Sequence, residues 1–72
     1  MINKITRFIV FINNRKKVLT RRGFKENKIG MMSEIRLFLD KSYARDYLEY
    51  TYSLDESHYE LVEVEVTYKE RK

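Results

Sequence analysis

Asp55, Glu56, Ser57 and His58 (DESH) place carboxylate, hydroxyl and imidazole in consecutive positions, the groups from which a nucleophilic relay is built. A relay needs them to converge in space beside an oxyanion hole, and adjacency along the chain does not supply that geometry. A turn leading into a strand explains the four residues with less. Asp55, Glu56, Glu60 and His58 also offer metal donors, yet at no spacing that metal sites use. His58 is the sole histidine and there is no cysteine. Disulfides, thiolate sites and a histidine-based zinc site within one chain are therefore excluded. Gly23 and Gly30 are the only glycines, so no phosphate-cradling loop is present and no cofactor is implied. Glu63 and Glu65 fall on one strand face, where a solvated or cross-paired surface accounts for them. Nothing here asks for an enzyme.

Two further groups suit binding. Arg15, Lys16, Lys17, Arg21, Arg22, Lys25 and Lys28, with Phe24 among them, could track phosphates as a two-stranded ribbon does in a DNA groove. Lysine-rich edges also simply discourage aggregation. Tyr43, Tyr47, Tyr50, Tyr52 and Tyr59 gather around one short stretch. Tyrosine is a preferred anchor of protein interfaces. We assign Tyr43 and Tyr47 to the core and leave Tyr50, Tyr52 and Tyr59 for a dimer or a foreign partner.

Seventy-two residues make one domain, 1–72. A chain of this size buries only about 60% of its unfolded surface and usually needs reinforcement. Without cysteine or a metal site, self-association is the remedy left. The formal charge is +4, unevenly spread. Residues 1–30 carry nine Lys/Arg against one acid, residues 31–72 six against ten. Either the basic half has an anionic partner, or the halves neutralise each other in the fold or across a dimer. The run FIVFI (8–12) is too short for a signal-peptide core or a membrane span. The expectation is a soluble cytoplasmic protein with no membrane partner.

The elements that position these groups follow from the pattern. Residues 40–51 (DKSYARDYLEYT) set Tyr43, Ala44, Tyr47 and Leu48 on one helical stripe, with Asp40 as N-cap. Residues 2–12 (INKITRFIVFI) are β-branched and aromatic with both faces largely apolar, so the strand is central. Asn13, Asn14 and Arg15 supply a turn, and residues 16–24 return as a second, edge strand, with Gly23 ending it or sitting in a bulge. Leu19 then joins Phe8, Val10 and Ile12, while Val18 and Thr20 join Ile5, Ile9 and Phe11. Residues 24–33 read as loop. Residues 34–39 (EIRLFL) match strand and helix alike; a helical or irregular lead-in that drops Phe38 into the core is favoured. Residues 52–57 turn, and residues 58–69 (HYELVEVEVTYK) alternate with period 2.

Together these predict an α+β fold, ββαβ, with a three-stranded antiparallel-type sheet in the order 2-1-3 and one helix on one face. The expected helix-side core is Phe8, Val10, Ile12, Leu19, Phe38, Ala44, Tyr47, Leu48, Val62, Val64 and Val66. The opposite face would show Ile5, Ile9, Phe11, Val18 and Leu61 ringed by charges of both signs. So large a bare apolar patch, self-complementary about a two-fold axis, points to a homodimer through that face.

The succession of a basic hairpin, EIRLFLDKSYARDYLEY and HYELVEVEVTYK resembles the Yopt family, small Bacillus prophage proteins of unknown function. The resemblance implies one helix and three strands per subunit, a homodimer and no assigned activity. The combined expectation is a non-enzymatic homodimeric module that binds a host or phage protein, with nucleic-acid binding by the basic hairpin as the alternative.

Overall fold

The computed structural model describes residues 2–69. Its elements are β1 (Ile2–Ile12), β2 (Lys17–Thr20), β3 (Gly23–Glu26), α1 (Lys41–Tyr52) and β4 (Glu60–Lys69), with a 3₁₀ turn at Met32–Glu34. The class is α+β as the pattern required, but the sheet has four strands in the order β3-β2-β1-β4, all antiparallel. The 2-1-3 order survives inside it, extended by β3 at the β2 edge.

The extra strand corrects two sequence readings. What looked like one return strand over 16–24 is broken by a tight turn at Arg21 and Arg22. There Thr20 Oγ1 donates to the Gly23 carbonyl (2.7 Å) and accepts from Arg22 N–H (3.1 Å). Gly23 takes φ +103°, a conformation that few side chains tolerate, and opens β3. Part of the expected loop over 24–33 thereby becomes strand, with Leu19 opposite Phe24 and Lys17 opposite Glu26. The first hairpin turn forms as read, with Asn13, Asn14 and Arg15 all left-handed (φ 54° to 66°).

Residues 31–38 are a strap, so of the two expected forms the lead-in takes the irregular one, with isolated bridges at Ile35 and Phe38. Glu34 and Arg36 bond across the end of β2 (Arg21 N–H to Glu34 O, 3.1 Å; Arg36 N–H to Leu19 O, 3.0 Å). Phe38 then exchanges both backbone bonds with Phe8 (2.9 Å each). Met31 and Ile35 pack on one face of the sheet and Phe38 on the other, so the strap crosses from face to face where β2 leaves off. Phe38 does enter the core.

α1 begins at Asp40, whose Oδ1 accepts from Tyr43 N–H at 2.7 Å. A cap of this kind contributes about 1 kcal/mol. The helix ends in left-handed Ser53, whose N–H closes on Glu49 O. The buried stripe is Ala44 and Leu48, with Tyr47 and Tyr52 beside them. Relative to the expected stripe it is rotated towards Tyr52 and away from Tyr43. Val10, Leu19, Phe38, Ala44 and Leu48 form the helix-side core. Ile9, Phe11, Val18 and Met31 form a second core beneath the strap.

β4 is inverted relative to expectation. Its register puts Ile9 opposite Val62 and Val10 opposite Leu61. Val62 and Val64 therefore join the strap-side core, and Leu61 packs on the helix side. Alternation reveals two faces without saying which is inward, because a one-residue slip exchanges them.

Candidate functional site

The DESH segment forms a polar turn. Asp55 Oδ1 accepts from Ser57 N–H (2.9 Å) and from Ser57 Oγ, and lies 2.8 Å from His58 Nδ1. Hydrogen bonds from Ser57, and then His58, hold the Asp55 carboxyl below its ordinary range. Ser57 Oγ lies 3.4 Å from the same Nδ1 that meets Asp55. In a relay the imidazole joins hydroxyl and carboxylate through opposite nitrogens. All three side chains are exposed, and the arrangement caps a turn. Among the described residues no group of three His, Asp or Glu side chains has metal-holding geometry.

The basic residues divide. Arg15 makes a two-pronged contact with Glu60 (Nε to Oε1 2.9 Å, Nη2 to Oε2 2.7 Å), joining the first turn to the start of β4. That hydrogen bond raises the guanidinium and lowers Glu60, with their mutual charge attraction acting in the same sense. Lys28 pairs with Glu26 at 3.5 Å. Lys4 meets Glu65 at 3.5 Å on the β1–β4 ladder. Lys16, Lys17, Arg21, Arg22 and Lys25 are exposed, and none has a carboxylate within ion-pair distance among the described residues. Lys16, Lys17 and Lys25 line a shallow groove with Asn13, Phe24, Asn27 and the carboxylate-bearing Glu26. Neutralisation between the chain's two halves is thus partial, and it leaves the β2–β3 hairpin charged.

The tyrosines divide as well. Tyr52 and Tyr59, expected at the surface, pack against the helix-side core, and burial is the first cause of their raised phenol pKa values. Tyr52 sits edge-on to Phe24 at 5.1 Å, and its hydroxyl lies 3.4 Å from where a side chain on Gly23 would start. Tyr43, expected inside, is 55% exposed, though its ring stays 5.7 Å from Phe38. Tyr50 is 88% exposed and Leu39 65%. Tyr43 and Tyr50, seven residues apart, share one face of α1 and border a shallow groove with Tyr47, while Leu39 stands ahead of the helix, before the extended N-cap Asp40. Tyr47 is half-buried under the Arg36 guanidinium, 4.3 Å from the ring centre. Tyr50 is exposed as expected; the exposure of Tyr43 does not follow from composition, because helical phase decides which tyrosines face out.

The expected dimer face is mostly covered. Ile9, Phe11 and Val18 are buried, enclosed with Met31 and Ile35 of the strap. Leu61 lies on the opposite face. Ile5, half-buried, keeps access to solvent on the expected face where the strap does not reach.

Comparison with protein-family models, with curated proteins and with solved structures finds no match. Among the described residues no helix is long and apolar enough to cross a membrane.

Proposed function

We propose that the protein is a non-enzymatic, homodimeric interaction module whose partner docks on the exposed face of α1. The observation that carries this reading is the pair Tyr43 and Tyr50, large side chains on one face of α1 that the folded chain leaves in water, with Leu39 also bare just ahead of the helix. Aromatic anchors beside an apolar neighbour are what protein interfaces bury at their centres. The resemblance to small prophage proteins supplies the setting, a host or phage protein as partner in the cytoplasm. Affinity capture from host lysate tests it. The wild type should retain a partner that the Tyr43→Ala/Tyr50→Ala double variant loses. Nothing above background, or equal capture by both, contradicts it.

A second reading has its own observation, Lys16 together with the four cations of the β2–β3 hairpin, none of them ion-paired among the described residues. Such a group binds nucleic-acid backbone without reading sequence. Mobility shift on mixed DNA should then weaken with salt, with a log–log slope of about −4 to −5 if all five meet phosphates. No shift at low salt removes this reading.

A further inference from the structure

Resting on the self-association just proposed, we propose that the second copy adds at the open half-edge of β1, in an antiparallel register centred on Ile5. The backbone dictates where that edge lies. Phe8 directs its N–H and C=O away from β4, to Phe38. Backbone groups alternate sides along an antiparallel strand, so Lys4 and Thr6 direct theirs the same way. β2 reaches only as far along β1 as its pairings at Phe11 and Ile12, and the strap only Phe8. Among the described residues no strand pairs with residues 3–7 on that side. The one donor found there is a side chain, Arg7 Nη1 on the Thr6 carbonyl at 2.7 Å. The opposite edge of this two-stranded arm, β4, carries exposed Glu63 and Glu65.

Charge selects the register. β4 paired with itself about residues 63, 64 or 65 sets glutamate against glutamate, which is unfavourable. β1 paired about Lys4 sets lysine on lysine. Phe38 already holds the groups of Phe8, so pairing about Thr6 keeps only Thr6 on itself, whereas pairing about Ile5 keeps Lys4 with Thr6 in both directions and stops at Asn3–Arg7, short of Ile2 opposite Phe8. Centred on Ile5, Lys4 faces Thr6 and Asn3 faces Arg7, with no like charges opposed. Ile5 meets its own copy and extends the Ile5–Val66 pair into a continuous apolar row across four strands. The pairing joins two copies end to end and leaves both tyrosine pairs and both basic hairpins free. Arg7 must release the Thr6 carbonyl as the second strand arrives, so it restrains association.

The test is sedimentation combined with residue-resolved amide exchange of the full chain over a dilution series. The expected result is a dimer in which the Lys4 and Thr6 amides exchange slowly when concentrated and quickly when dilute. Arg7→Ala should tighten it several-fold. Thr6→Pro should give a folded monomer, since an edge strand tolerates proline where its N–H meets solvent. A dimer whose Lys4 and Thr6 amides exchange at one rate throughout, or a folded Thr6→Pro dimer, overturns this pairing and leaves self-association standing. A monomer at every concentration overturns both. Protection of those amides only on adding an extended Thr/Val-alternating peptide gives the edge to another chain and overturns the pairing.

Discussion

At the turn end of β1, Ile9, Val10 and Phe11 are buried between α1 on one face and the Met31–Ile35 side of the strap on the other. At the far end, no side chain from residue 3 to residue 8 is fully buried, although the ladder to β4 continues without a bulge. The same strand is thus core at one end and exposed ribbon at the other. The shape reflects it. The radius of gyration is 13.0 Å and the long axis 43 Å, against about 11 Å expected for a compact chain of this length. The contrast teaches that backbone pairing and side-chain cover are separate achievements. A two-stranded ribbon has the first without the second, and such ribbons are marginal alone. Folding energy is therefore concentrated at the turn end, and the ribbon is left available for a partner.

Phe38 holds the turn end on both accounts, through its backbone bonds to Phe8 and through its ring in the helix-side core. Phe38→Ala should cost about 3–5 kcal/mol, a large share of the roughly 5–15 kcal/mol available to such a domain. Denaturant unfolding measures it. Met31→Ala should cost about 2 kcal/mol and uncover Ile9, Phe11 and Val18 to an apolar dye. An unchanged midpoint and no dye uptake would mean that the strap does not shield that face. Val64→Ala, on the ribbon, should cost about 1 kcal/mol or less because the side chain is only half-buried. A loss equal to that of Phe38→Ala would erase the distinction between the ends.

The smallest effects are in pH. Burial raises the phenols of Tyr52 and Tyr59 at the turn end. The folded state keeps these protons longer than the unfolded chain, so stability holds below about pH 10 and falls as pH rises beyond it. Glu60 and Asp55 are lowered by Arg15 and Ser57 respectively. Their contribution is present above about pH 4 and is lost as pH falls. Both carboxylates are exposed, so the acid limb should be shallow. Thermal unfolding from pH 2 to 11 checks both limbs, and Tyr52→Phe and Tyr59→Phe together should flatten the alkaline one.

Features with a local cause were legible in the sequence. The Asp40 cap, the helix after it, the Asn13–Asn14 turn and the charge of the hairpin each depend on neighbours within a few residues. β3 was not legible, because Gly23–Glu26 holds a single large apolar residue, Phe24. Its strand character comes from pairing with β2. The strap matched strand and helix alike in its pattern because it makes single bridges and changes faces midway. The inversion of β4 arose from register, which its alternation leaves open, and it moved Leu61 away from Ile5, Ile9 and Phe11. Tyr52 and Tyr59 went inside with the rotated helix stripe and the inverted strand. The exposure of Tyr43 is the other side of that rotation.

Amide exchange along β1, at a dilution where the chain is monomeric, tests the contrast between the ends most directly. The amides of Ile5 and Arg7, directed at β4, should exchange through local opening far faster than those of Val10 and Leu48, which should wait for global unfolding. Equal protection from residue 5 to residue 10 would contradict the account.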